Sequence, residues 1–520
     1  MPIETDLEGP VRFRPFDPAL ILPASSARVV VLVDEVDRHL AGDALRGEIE
    51  RYLAGQPLGE QDDAAEQEGP LLAVASTSRV DEALATGADM IILEGGDVHR
   101  RLSRDGFVVT RYVPLPNRLQ PDLLLPLDQP VAVRYALSRW RSSVQLDASW
   151  QARYARRLRD GVVGRLSRHI PVRGRTLVTV ASRRAGAPQA VAAAARVLQE
   201  PLVAWLPTFT TGLDPDSRNV VHLFARRRKE PSWVIKLARE RGHDAIFVHE
   251  EAVLMKVRES GGALAERAPR LVARTEVGGR SASVETAAAG TGLDRLLAGR
   301  TSRRTKLKLL QAVVAWLEQV ARETLAPASA LGPERSRLAD QVLPPWRDSG
   351  VTDELVVGLP PLPAVFLHGD MWEENVVVGR DGFMALDWER ARPHGFPLWD
   401  LASFASMTLG VLDGARSVDE RAGHFVELWS GVARSSPILF RWLRSGAEAA
   451  GVPAEAVPAI VTLRWLDDPV RARREAAGSA TVDARSSERL LDRLPHLWLD
   501  EPALGPGWRA WREAERPAAA

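Results

Sequence analysis

The chain has 520 residues, enough for several domains with their own cores. Its 68 basic and 68 acidic side chains balance, so no global field draws it to nucleic acid or to an acidic membrane. There is no cysteine, which excludes disulfides, thiolate catalysis, zinc–thiolate sites and iron–sulfur clusters. The opening Met-Pro-Ile-Glu-Thr-Asp-Leu-Glu has no apolar segment of the kind that directs secretion, and no apolar run is long enough to span a bilayer. A cytoplasmic protein with no membrane and no nucleic-acid partner is the expectation.

Apolar runs at 29–34, 71–75 and 90–94 read as buried strands, with helical patterns from Asp37 to Leu53 and from Arg79 to Ala85 between them. Strands alternating with helices predict a small α/β layer with a parallel sheet. Gly59 to Gly69 is acidic and poor in apolar residues, and reads as a surface loop. Phe107 to Val113 is a further strand, followed by Pro-rich extended chain to about Pro130. The region holds neither Gly-x-Gly-x-x-Gly nor a phosphate loop, and the Glu94-Gly95-Gly96-Asp97 stretch reads as a turn. Residues 1–165 are therefore a Rossmann-like α/β domain without a cofactor loop, for which docking or homodimerisation is the role that remains. The basic helix over 131–170 is a solvated face, because no aromatics are interleaved to stack on bases.

From about Arg173 the pattern changes. Thr176 to Val180 is a strand, Pro188 to Leu198 an Ala-rich helix, and strands follow at Val203–Phe209, Val220–Ala225 and Trp233–Ala238. The last carries Lys236 inside an apolar alternation, and burying an ammonium without a partner costs roughly several kcal/mol. The helix Ile246 to Val257 offers Glu250 and Glu251. Leu271–Glu276 and Ser281–Thr286 pair as a hairpin over Gly278-Gly279, and Leu307, Leu310, Val314, Leu317 and Ala321 repeat at helical spacing.

The densest chemistry lies at Phe366-Leu367-His368-Gly369-Asp370-Met371-Trp372-Glu373-Glu374-Asn375, followed by an apolar run ending Ala385-Leu386-Asp387-Trp388-Glu389. Two apolar strands joined by Gly379-Arg380-Asp381-Gly382 deliver Asp370, Asn375 and Asp387 in order. A carboxylate facing a hydroxyl, with an amide and a second carboxylate for Mg²⁺, is the set that phosphoryl transfer needs. The Asp-x-x-x-x-Asn spacing is that of the protein-kinase catalytic loop, with Gly369 in place of its Arg. His-Gly-Asp-x-x-x-x-Asn followed by Leu-Asp-Trp resembles the aminoglycoside phosphotransferase and choline kinase-like family, over about residues 175–500.

The resemblance implies an α+β bilobal protein-kinase-like fold after the α/β domain, with an N-lobe over 166–290 and a helical C-lobe over 291–520. It implies a kinase that transfers the γ-phosphate of ATP (or GTP), with Mg²⁺, to a hydroxyl of a small-molecule acceptor such as a sugar, amino sugar or aminoglycoside. Asp370 would orient the acceptor hydroxyl and take its proton, and Asn375 and Asp387 would hold the metal. Lys236 would steady the α/β-phosphates and Glu250 would fix Lys236. Ser217, in the loop 210–219, would lie over the phosphates, and backbone at Glu285 to Ala287 would bond a purine. His368 and Asp400 would support the catalytic loop. Glu373 and Glu374 either attract a cationic acceptor or face water, and Glu389 either assists the metal or fixes Arg390 or Arg392. The rival from another class is a pseudokinase that binds nucleotide as a scaffold or sensor, and a second activity such as methyl transfer by the first domain is disfavoured by the missing Gly-rich loop.

Overall fold

In the computed structural model the described residues are 18–23, 28–32, 71–95, 97–115, 123–140, 177–183, 185–209, 218–238, 245–477, 486–499 and 511. The helical pattern at Asp37–Leu53, the acidic stretch at 59–69, most of the basic 131–170 segment and Ser217 lie outside them. The chain divides into two compact units, residues 1–247 with 271–287, and residues 248–270 with 288–520.

The first unit is built on one sheet of 11 strands among the described residues. In chain order these are β1 (Arg28–Leu32), β2 (Leu71–Ser76), β3 (Met90–Gly95), β4 (Val108–Leu115), β5 (Leu123–Pro126), β6 (Leu177–Ser182), β7 (Leu202–Phe209), β8 (Arg218–Ala225), β9 (Trp233–Ala238), β10 (Leu271–Val277) and β11 (Arg280–Thr286). Across the sheet the order is β1-β2-β3-β6-β4-β5-β7-β8-β9-β11-β10. The parallel sheet expected of a Rossmann-like layer is present only between β1, β2 and β3. β6, from beyond residue 176, enters antiparallel between β3 and β4, and every pair after it is antiparallel as well. The N-terminal strands and the later ones therefore share one mixed sheet. A strand buried at every position, as Leu177–Ser182 is, has no solvent face to forbid either neighbour.

Helix α1 (Gln189–Leu198) lies on this sheet through Ala190, Val191, Ala193 and Ala194, whose small side chains allow close approach to Val221, Leu223, Ile235 and Leu237. Each fully buried leucine or isoleucine in that layer contributes about 2 kcal/mol. The hairpin read over Gly278-Gly279 is the β10–β11 pair, with Val277 opposite Arg280.

Helix α2 (Ala245–Ser260) follows β9, and the second unit is mostly helical. Helix α3 (Arg303–Glu323) starts at Ser302, whose hydroxyl accepts the Thr305 N–H at 3.2 Å, and buries Leu310, Val313, Val314, Leu317 and Val320. Helix α4 (Trp399–Asp413) is buried on all sides from Trp399 to Leu412, as a helix apolar all round must be. Helix α5 (Val457–Ala477) is its charged counterpart, carrying Arg464, Asp467, Asp468 and Arg471. Trp429, Trp442 and Trp465 are buried core fillers, with Trp429 packed edge-to-face on Trp498 at 5.0 Å between ring centres. No helix among the described residues is long and apolar enough to cross a membrane.

Candidate active site

The site of the second unit is assembled from three short strands and the start of α4. Strand β12 (Val365–Leu367) is wholly buried and ends on His368-Gly369-Asp370. Strands β13 (Val376–Gly379) and β14 (Gly382–Ala385) form the antiparallel hairpin whose register sets Val376 opposite Ala385. One step beyond, the Leu386 N–H donates to the Asn375 carbonyl at 2.8 Å. Asn375 thus enters the hairpin, and Asp387 leaves it, at the same open end. Asp387 sits in the left-handed region at φ 68°, which aspartate tolerates better than most residues.

Gly369 adopts φ 80°, and a Cβ there would strike the Arg390 carbonyl oxygen. Only glycine fits, which is the physical reason this chain lacks the protein-kinase arginine at that position. Asp400, in the first turn of α4, closes over the loop: its Oδ2 accepts the His368 N–H at 2.7 Å and its Oδ1 the Gly369 N–H at 2.9 Å. The His368 ring then ties this loop to the hairpin. A carbonyl can only accept, so Nε2 carries the proton it gives to Leu386 O at 2.9 Å, and Nδ1 is left to accept the Asp370 N–H at 3.4 Å.

The Asp370 carboxylate is held at both oxygens. Arg390 Nη1 donates to Oδ1 at 3.0 Å, and Asn375 Nδ2 donates to Oδ2 at 2.9 Å and to the Asp370 carbonyl at 2.8 Å. Burial alone would push this carboxyl up, but Arg390, then Arg471 and Arg464, outweigh it and hold it below the usual aspartate range. Asp370 is therefore ionised throughout the neutral range. Each carboxylate oxygen retains a second lone pair for a hydroxyl proton.

With Nδ2 committed to Asp370, Asn375 presents its Oδ1 as the remaining atom of the amide. An amide oxygen and the Asp387 carboxylate at one hairpin end make a hard-oxygen pair that suits Mg²⁺, which takes few protein ligands and fills its shell with water and phosphate. Among the described residues no three His, Asp or Glu side chains make a metal cage on their own.

Other expected residues have partners that the sequence did not disclose. Glu250, on α2 and 2% exposed, accepts the Trp388 N–H at 3.3 Å, immediately after Asp387. In the first unit Lys236 makes an ion pair at 3.2 Å with Glu285, which also accepts from Ser283 Oγ at 3.3 Å. The Glu285 side chain, and not only its backbone, is thus part of the lysine's setting. The Ala287 N–H donates to Ser232 O at 3.1 Å, so that amide is engaged within the sheet. Glu373 faces neither water nor an open acceptor pocket: it is buried and ion-paired with Arg421. Glu389 stands 4.0 Å from Arg390.

Sequence reasoning passed over the buried charges behind the loop. Asp467 is paired with Arg337 at 2.7 Å and Arg392 at 3.4 Å, and both arginines also reach Glu334. Asp468 is paired with Arg464 and, at 2.6 Å, with Arg471. Two adjacent acids between the apolar pairs Trp465-Leu466 and Pro469-Val470 were the available signal.

Residues 216–433, less than half of the chain, match the model of the phosphotransferase enzyme family. Through that segment the chain is similar to the phosphotransferase enzyme family. Among solved structures it is similar to an aminoglycoside phosphotransferase from Streptomyces rimosus, at 14% identity over 50% of this chain and 92% of that one, with a TM-score of 0.29. It is also similar to a glucosamine kinase, at 14% identity over 62% of this chain and 84% of that one, with a TM-score of 0.33. No curated protein matches.

Proposed function

We propose that the protein transfers the γ-phosphoryl group of ATP or GTP to a hydroxyl of a small acceptor such as a sugar, amino sugar or aminoglycoside. The observation that carries this reading is the Asp370 carboxylate, ionised and fixed at both oxygens, beside an Asn375–Asp387 oxygen pair. In this reading the acceptor hydroxyl donates its hydrogen bond to Asp370, which receives the proton as the oxygen bonds to phosphorus. Asn375 and Asp387 would hold Mg²⁺, which when bound neutralises charge on the β- and γ-phosphates. Lys236 would steady the α/β-phosphates. Little covalent work falls to the protein, so positioning and charge supply most of the barrier reduction. Residues 1–165 take no part in this chemistry and are assigned to docking or homodimerisation.

The test is a coupled ADP-release screen over amino sugars, aminoglycosides, choline and polyols, with Asp370→Ala as blank. Acceptor-dependent release that the blank lacks is the expected result. Nucleotide binding with no release above the blank for any acceptor would replace this reading with a pseudokinase.

A further inference from the structure

The Gly369–Asp370 peptide is gripped from a side that no expected residue accounts for. Asp400, from α4, takes the N–H groups of His368 and Gly369. On the next peptide unit, Arg471 from α5 gives Nη1 to the Gly369 carbonyl at 3.4 Å. The arginine is anchored rather than loose, because its Nη2 is 2.6 Å from Asp468 Oδ1. Asp468 also binds Arg464, whose Nε donates to Ser403 Oγ at 2.6 Å. Ser403 is one turn along α4 from Asp400, and the Arg464 guanidinium lies 5.8 Å from the ring of Trp399, the residue before Asp400. Arg464, Asp468 and Arg471 follow at i, i+4 and i+7, so one face of α5 carries the relay. The register of α5 on α4 therefore fixes both halves of the grip.

Asp468 is 3% exposed, and its Oδ2 is buried without a hydrogen-bond partner. Leaving a carboxylate oxygen so placed is costly, and a residue that served packing alone would be replaced at a gain. Its Oδ1 holds two guanidiniums, one of which ends at the catalytic loop.

We infer that Arg471 is a positioning residue for Asp370, holding the Gly369 carbonyl while Asp400 holds the His368 and Gly369 N–H groups, so that the loop presents its carboxylate in one orientation. The inference rests on the kinase reading for the role of Asp370, and adds to it a residue 101 positions downstream. The charged groups around Asp370 are Arg390 from its own stretch of chain and Arg464 and Arg471 from α5, with the His368 ring on its N–H and Asp400 and Asp468 behind them.

The test needs no acceptor. Amide hydrogen exchange is followed on the full chain for the wild type, Arg471→Met, Arg471→Gln and Arg471→Lys. Arg471→Met should speed exchange of the Gly369 and Asp370 amides by about tenfold while α5 up to Val470 stays as protected as in the wild type, and Arg471→Lys, which can still donate to the carbonyl, should restore much of the protection. A role in packing alone would loosen α5 itself and would not be rescued by lysine. Folded Arg471→Met or Arg471→Gln protein with exchange at Gly369 and Asp370 unchanged, or raised equally along α5, overturns the inference; Arg471→Gln serves if the methionine variant fails to fold. Calorimetry with Mg²⁺–ADP on the wild type separates this from failure of the kinase reading, since lack of binding there would defeat that reading whatever Arg471 does.

Discussion

Replacing Asp370 with asparagine should lower turnover by about 10²- to 10⁴-fold while leaving the nucleotide KM nearly unchanged. The substitution keeps the shape of the side chain and a carbonyl oxygen for Arg390, but removes the group that receives the hydroxyl proton. Because Arg390 and its neighbours hold the Asp370 carboxyl below the ordinary aspartate range, the wild-type rate should be flat through neutral pH. It should decline only at acidities below that range. The sign for stability is the same. A lowered folded value means that the carboxylate's contribution is complete above the unfolded value and is lost as pH falls through the folded one. Thermal melts of wild type and Asp370→Asn should therefore converge as pH is lowered. Steady-state ADP release across pH, with calorimetric melting at neutral and acid pH, checks both parts. Undiminished turnover of Asp370→Asn would remove this residue from the reaction.

The largest loss of stability is expected at a residue that touches no reactant. Asp467 is fully buried and bridges Arg337 and Arg392, which meet again at Glu334. Burial would push its carboxyl up, but Arg392, Arg337 and Arg471 hold it well below the usual range. Asp467→Ala strands two guanidiniums against one remaining acid, a change that costs about 3–5 kcal/mol when a buried pair is broken. Urea unfolding should show this as a lower midpoint for the transition of the second unit. A midpoint within experimental error of the wild type would mean that water or Glu334 replaces the lost carboxylate.

The parts of the site that were legible in the sequence are those carried by contiguous residues. Asn375, the Gly379–Gly382 turn and Asp387 belong to one antiparallel hairpin, and His368-Gly369-Asp370 ends the strand just before it, so short spacing brings them together. The β10–β11 hairpin was legible for the same reason, through its paired glycines. What could not be read depends on partners far apart in the chain. Arg337 and Asp467 are 130 positions apart, and Arg471 and Gly369 102. No period or motif links such pairs. The mixed sheet escaped because strand direction is set by the connection, and the chain between Pro126 and Leu177 gives no periodic cue to where β6 returns. Lys236 and Glu285 pair across neighbouring strands, a relation that depends on register and not on sequence distance.

The most direct measurement of the central claim is titration calorimetry of ADP binding, with Mg²⁺ and with the metal chelated, on the wild type and Asp387→Ala. If Asn375 and Asp387 hold the metal of a nucleotide complex, the wild type binds ADP more tightly with Mg²⁺ than without it, and Asp387→Ala loses that gain while keeping its metal-free affinity. A Mg²⁺ gain that survives intact in Asp387→Ala would contradict the account.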